Sequence, residues 1–476
     1  MVKNNITGTL AKFGSDLKFD DLPKDVVHET KRIILDILGC ASGSIDLAKG
    51  RIAVEFARKT GGRPESTILI TGEKVASPIA AFANGEQMFS LDHCSLMPSA
   101  HVAPFVTSAC LALAEERKAS GKTFITAVAL AHETASRIGV SMGTFRPIRG
   151  EAPLKSFGFG NNVFGAAAGA AKIMGLDSDR MSDALGLAGY FAPVPSQQKF
   201  MYTLYNGLQK YGAAGWTAQG GVTAALLAEM GERGDRSVLD GEYGFWAMNG
   251  SKSCNWDVIT NSLGKEWHIR QAKYKCWPCC GNFQSPLGAF TKLMEDTDIK
   301  PEDIQQIVVG AESICGMPPY LVTEIHNHVE AQNSLPYVIA VVAHRIKVGP
   351  AWQSRSTMEN PGIRSLMKKI KFEVYPKAEE ARYQELEVEK KTYINRRPSF
   401  VKVTAGGKVF VQTAEYAKWL STETPEFRAS DEDLIKKFRA NAENTLDALK
   451  LSKAIDMIMN LEKLNDTTEL IKMLIR

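Results

Sequence analysis

The stretch Ser90–Glu115, SLDHCSLMPSAHVAPFVTSACLALAE, decides how the rest of the chain is read. It opens on Asp92, His93, Cys94 and Ser95, and passes through a short Pro-containing turn to His101. From about Ala103 it becomes an apolar, Ala-rich helical segment suited only to burial. Titratable groups on the irregular lead-in to a buried helix have a physical use. A helix N-terminus presents unsatisfied N–H groups and a partial positive charge, which suit an anionic ligand. An imidazole placed there can give or take a proton near neutral pH. Taken alone, the stretch fits an ordinary helix start with a structural histidine equally well.

At 476 residues the chain is long enough for two domains, or for one large domain carrying an insertion. Its formal charge of +4 is small for this size and no basic run occurs, so nucleic acid is not indicated. The eight cysteines follow no regular framework, which fits a reducing compartment. The N-terminal residues carry no apolar leader and no apolar run reaches membrane-spanning length, so the expectation is a soluble, cytoplasmic protein.

Up to residue 269 the segments read as helices rich in Ala and Gly, small enough for close helix–helix contact. One helix is closed by the Gly61–Gly62 pair, and STILITGEKV (66–75) is a short hairpin or extended arm. The texture changes near Arg270. IQQIVVGAES (304–313), KIKFEVYP (369–376), YQELEVEKKT (383–392) and FVKVTAGGKVFVQTAEY (400–416) are period-2 or β-branched runs with helices between them. SDEDLIKKFRANAENTL then opens a helix on Ser430, with acidic residues in its first turn. The reading is a mainly α protein with an inserted α+β domain: a helical domain over 1–269, an α+β lid over 270–415, and helices over 416–476 that return to the helical domain.

Several residues stand out from this background. Lys210 sits among Gly, Ala and Thr, with room beside it for something other than protein, although a lysine reaching to the surface reads as well. A loop before the FGAAAGAA helix carries Arg146, Arg149 and Lys155. The GFGNN segment within it lacks the glycine spacing of a dinucleotide loop, and no strand precedes it. His132 lies on a buried helix and reads mainly as a core residue. KYKCWPCC places Lys275 ahead of Cys276, Cys279 and Cys280. With no second Cys pair or suitably spaced His, these thiols read as structural or cleft-lining rather than metal-binding. His326 and His328 are at most a metal fragment, and Tyr337 heads an apolar helix, either packed at a domain seam or offering its phenol to a substrate oxygen.

Together these blocks resemble the MmgE/PrpD family over nearly the whole length. The likeness rests on LDHCSLMPSAHVAPFVTSACLALAEE, FGAAAGAAKIMGLD, GWTAQGGVTAALLAEMG with DGEYGF after it, KYKCWPCC, SLPYVIAVV and SDEDLIKKFRANA. The resemblance implies a helical domain with a smaller α+β lid, a homodimer, an active site between the domains, and turnover of small carboxylates with neither metal nor organic cofactor. Carried over by position, it implies catalytic roles for Asp92, His101, Lys210, Lys275 and Tyr337, and substrate contacts from Ser95, Lys155, Ser156 and Gln284. Two lysines can hold carboxylate charge while His101 and Tyr337 move or hold a proton.

The chain also departs from the family pattern. Histidines common in relatives are replaced here at Ser156, Ala213 and Gln284. Fewer proton carriers point to a divergent branch with its own substrate. The expectation is a cofactor-independent lyase of the dehydratase or decarboxylase type. An isomerase or epimerase, and a non-catalytic homologue, are the competing readings.

Overall fold

In a computed structural model, which describes residues 5–143 and 156–476, the first half of the chain is a stack of helices. These are α1 (Ile6–Asp16), α2 (Lys24–Ser42), α3 (Ala48–Thr60), α4 (Ser77–Ser90), α5 (Ala103–Glu116), α6 (Gly121–Ser141), α7 (Asn162–Ile173), α8 (Ser178–Tyr190) and α9 (Ala214–Met230). Local chemistry sets their limits. Ser120 and Asp177 accept backbone N–H groups at the starts of α6 and α8. Gly61 and Gly62 close α3 at φ of +65° and +101°, conformations that glycine adopts without a Cβ penalty. The segment 66–75 forms the short hairpin, Ser66–Thr67 against Lys74–Val75.

α7 is the centre of this stack and packs on α5, α6, α8 and α9. Its sequence, NVFGAAAGAAKI, explains the closeness. A Cβ added to Gly221 of α9 would lie 2.4 Å from that of Ala166 on α7, so small residues at this crossing are a geometric requirement.

The mixed domain is built on a four-stranded sheet of β1 (Ile304–Ala311), β2 (Ile370–Val374), β3 (Arg396–Ala405) and β4 (Lys408–Tyr416), in the order β2-β1-β3-β4. β1 pairs with β2 in parallel and with β3 antiparallel, and β3 and β4 form a hairpin around Gly406–Gly407. Helix α10 (Gln284–Glu295) covers β3 and β4, and α11 (Leu335–Ala343) packs behind α10. One expected strand is absent: 383–388 is helical, the end of the helix Pro376–Tyr383 continued by a wide turn over Gln384–Val388, and 389–392 is irregular. The physical reason is tertiary. Glu385 is buried there, and its carboxylate accepts the N–H groups of Asn395 and Arg396 at the start of β3, a contact that a strand would not provide. After the sheet, α12 (Asp431–Ala442) starts at Ser430 and Asp433, which cap each other's backbone, and lies along α2.

Candidate active site

Asp92 follows α4 directly and takes φ of +55°, a left-handed conformation that Asp tolerates better than most residues. The chain thereby turns out of the helix, and Leu96 then pairs with Lys273 through two backbone hydrogen bonds of 2.8 Å. That pairing brings the Lys275 segment, far away in sequence, beside Asp92. Lid residues secure the same corner. Gln332 donates to the Ser90 carbonyl, and Gln353 donates to the carbonyls of Leu91 and Pro278.

At this corner Asp92, Lys210 and Lys275 form one cluster with side chains fully excluded from solvent. Lys210 Nζ donates to Asp92 Oδ1 at 2.6 Å and to the Phe89 carbonyl at 3.1 Å. Lys275 Nζ lies 3.1 Å from the same oxygen and donates to the Asp92 carbonyl at 2.9 Å. Lys210 also sits 4.0 Å above the Phe89 ring centroid, a cation–π contact. Burial opposes ionisation of Asp92 most strongly, yet the charges of Lys210 and Lys275 outweigh it and hold the carboxyl below the usual carboxylate range. One carboxylate thus serves two lysines, a formal net positive charge in a dry site, with burial lowering the Lys210 amine and, against burial, the Asp92 charge raising that of Lys275.

His101 stands next to the cluster. Its Nε2 is 2.9 Å from the Tyr211 hydroxyl, which donates to Asp92 Oδ1 at 3.2 Å. Its Nδ1 is 3.3 Å from Cys94 Sγ, and Asn162 Nδ2 donates to its carbonyl. Burial, then the Lys275 charge, keeps the imidazole neutral, well below its ordinary pKa. Burial pushes the Cys94 thiol up to about 11, so it remains a thiol.

Between the helical stack and the lid lies a cavity of about 180 Å³. His101 and Tyr211 line one side, with Phe159 beside them. Cys280, Tyr320, Lys273 and Arg397 face them from the lid. Asp92, Lys210 and Lys275 lie behind this wall rather than in it. Lys273 donates to the Ile394 carbonyl, and burial, followed by the nearby Arg397, pulls its amine down to about 7. Burial, then the Cys280 sulfur, raises the Tyr320 phenol, which is hydrogen-bonded to Cys280.

Of the residues expected from sequence, Asp92, His101, Lys210 and Lys275 are brought together. The others are placed elsewhere. The Tyr337 hydroxyl donates to the Trp352 carbonyl at 2.5 Å, inside the packing of the lid. Ser95 is buried against α2, its N–H donating to Asp36. Ser156 donates to the Asn249 carbonyl. Gln284 clamps the Lys275 segment, accepting from the N–H groups of Cys276 and Trp277 and donating to the Trp277 carbonyl and Cys279 Sγ. Lys155, with Arg146 and Arg149, lies outside the described residues. His132 bonds the Val128 carbonyl within its own helix. His326 pairs with Glu330, while His328 is buried. Among the described residues no three His, Cys, Asp or Glu side chains converge to hold a metal ion, and no helix is long and apolar enough to cross a membrane. Tyr211, Tyr320 and Lys273 escaped the sequence reading, whereas Cys280, read from sequence as structural or cleft-lining, lines the cavity. Two of the three adjoin singled-out motifs: Tyr211 follows Lys210, and Lys273 precedes Lys275 by two.

Fold and site together define a two-domain protein with a histidine in the wall of an interdomain cavity and a buried Asp–Lys–Lys cluster behind it. The chain belongs to the MmgE/PrpD family: the MmgE/PrpD N-terminal domain matches residues 8–255 and the C-terminal domain residues 277–463. Over 500 residues it is 25% identical to a cis-aconitate decarboxylase of Aspergillus terreus (strain NIH 2624 / FGSC A1156), covering 99% of this chain and 96% of that one. It is 26% identical over 499 residues to the cis-aconitate decarboxylase of Homo sapiens, covering 100% and 95%, and 24% identical over 497 residues to that of Mus musculus, covering 100% and 94%.

Proposed function

We propose that this protein is a cofactor-independent lyase, a dehydratase or decarboxylase, that acts on a small carboxylate in the cavity between the helical stack and the lid. The observation that carries the reading is the Asp92–Lys210–Lys275 cluster, with its uncompensated positive charge set directly behind the wall that bears His101. That charge attracts an anion into a low-dielectric cavity and stabilises the enolate-like charge that develops when carbon dioxide or an α-proton is lost. The decarboxylases to which the chain is similar support the same class. Substitution of the family histidines at Ser156, Ala213 and Gln284 supports a substrate of its own.

Proton-carrying groups on two walls of the cavity, His101 and Tyr211 on one and Cys280 and Tyr320 on the other, favour an isomerase or epimerase as the second reading. One experiment separates the two: an NMR-monitored screen of small mono-, di- and tricarboxylates in deuterated buffer. A new alkene signal or released carbon dioxide, abolished by His101→Gln, is the expected result. Deuterium uptake at constant composition identifies the isomerase. Turnover that survives His101→Gln rejects the role assigned to that residue.

The protein is also proposed to work as a homodimer. Its eight cysteines, none in a disulfide, suit a reducing compartment such as the cytoplasm.

A further inference from the structure

We propose that Tyr211 is the group that exchanges a proton with the substrate, and that His101 acts behind it as the proton reservoir. The inference rests on the cavity being a lyase or isomerase site, and it changes which side chain meets the reacting carbon.

Both ring nitrogens of His101 face protein groups. Nδ1 faces Cys94 Sγ at 3.3 Å and Nε2 faces the Tyr211 hydroxyl at 2.9 Å. Both are occupied by protein groups, so neither is left for a substrate atom. The Tyr211 oxygen is different. A phenol has one proton and two lone pairs, and this one touches Nε2 and Asp92 Oδ1 while its residue lines the cavity. It is the point at which the buried charges, the imidazole and the cavity meet. The groups that face it are Asp92, Cys94, His101 and, across the cavity, Cys280 and Tyr320, with Lys210 5.4 Å from its ring centroid. Burial, followed by the Asp92 charge, holds the phenol well above its ordinary pKa, so it keeps its proton at neutral pH.

A neutral phenol backed by a neutral imidazole can relay a proton without ever becoming a phenolate. The hydroxyl, which donates to Asp92 Oδ1 at 3.2 Å, turns its proton to the nearer Nε2 at 2.9 Å, and as the substrate C–H proton moves to the Tyr211 oxygen that proton moves to His101 Nε2. The C–H electron pair stays on the substrate as the enolate. His101 becomes an imidazolium, whose charge Asp92 offsets. Reversal returns a proton to carbon by the same two transfers. The ring is held for this task by Phe200, Phe89 and Phe159, at centroid distances of 5.1, 5.6 and 5.7 Å. Tyr211→Phe therefore removes the hydroxyl and retains the packing.

The test has two arms. The first needs no substrate. In protein labelled with ¹⁵N in its histidine rings, the His101 signals are identified by their loss in His101→Gln. Tyr211→Phe is expected to move the Nε2 resonance by several parts per million, because its hydrogen-bond partner is gone, and an unmoved resonance overturns the relay. The second arm uses the substrate found by the screen. Tyr211→Phe is expected to lower kcat about 100-fold or more with KM changed less than about threefold, as does His101→Gln. The double variant is expected to be no worse than the more damaged single one, because both belong to one relay. A Tyr211→Phe enzyme with kcat within about tenfold of the wild type overturns the proposal, as does a double variant whose losses multiply. A silent screen counts against the reaction class alone, and an unmoved Nε2 resonance against the relay alone.

Discussion

A carboxylate shared by two buried ammonium groups has no charge to spare. Asp92→Asn would leave Lys210 and Lys275 facing each other with no counter-ion in a dry site, and unfolding in urea at pH 7 is expected to show a loss of about 3–5 kcal/mol. The sign of the pH dependence follows from the depressed carboxyl. Its contribution is complete above the unfolded-state pKa of about 3.9 and shrinks as pH falls below it. The stability gap between wild type and Asp92→Asn is therefore expected to narrow as urea titrations are carried from pH 7 to below about 4. At this scale sequence and structure part company in an instructive way. Asp92, His101 and Lys210 were legible because each breaks an apolar or small-residue background, and Lys275 through the resemblance to the family. Tyr211 was not, because an aromatic beside a lysine reads as packing until its hydroxyl is seen between a carboxylate and an imidazole. Gln284 read as a substrate ligand, yet it satisfies four backbone and thiol groups that hold Lys275 in place.

Helices α7 and α9 approach so closely that a methyl group decides their spacing. Gly221→Ala would place a Cβ 2.4 Å from that of Ala166 and 2.8 Å from the Ala166 carbonyl carbon. Overpacking of this kind costs about 1–3 kcal/mol, against a gain of about 1 kcal/mol from the better helix propensity of Ala. Thermal unfolding of Gly221→Ala is expected to show a net loss of stability. A variant at or above wild-type stability would mean that the two helices can separate freely. The Ala/Gly texture announced this contact in advance, since small residues on several successive helices have little use except close approach. The segment 383–392 misled for the complementary reason. Its alternation of Leu and Val with Glu has strand period, but Glu385 is buried to hold the backbone at the start of β3, and that long-range demand overrides local period.

For the whole molecule the proposed dimer has a surface to use. Ile52, Phe56, Val194 and Trp216 are exposed by 54, 46, 85 and 55% and line one groove on the helical domain, an apolar concentration that soluble monomers seldom leave open. Sedimentation is expected to give a particle of two chains, reduced to one by Phe56→Glu combined with Trp216→Glu. A wild-type protein that sediments as a single chain would reject the dimer. The sequence by itself determined the α-then-mixed order of the chain, the small-residue helix contacts and the identity of the four charged and imidazole groups at the cleft. The order and the helix contacts are carried by composition and period, which need no partner to be read, and the four groups by the resemblance to the family. Tertiary structure alone decided that the lysines lie behind the cavity wall, that Tyr211 bridges Asp92 and His101, and that Tyr337 turns to the Trp352 carbonyl. Those facts depend on contacts between residues more than one hundred positions apart, or on which way a hydroxyl points, and local sequence fixes neither.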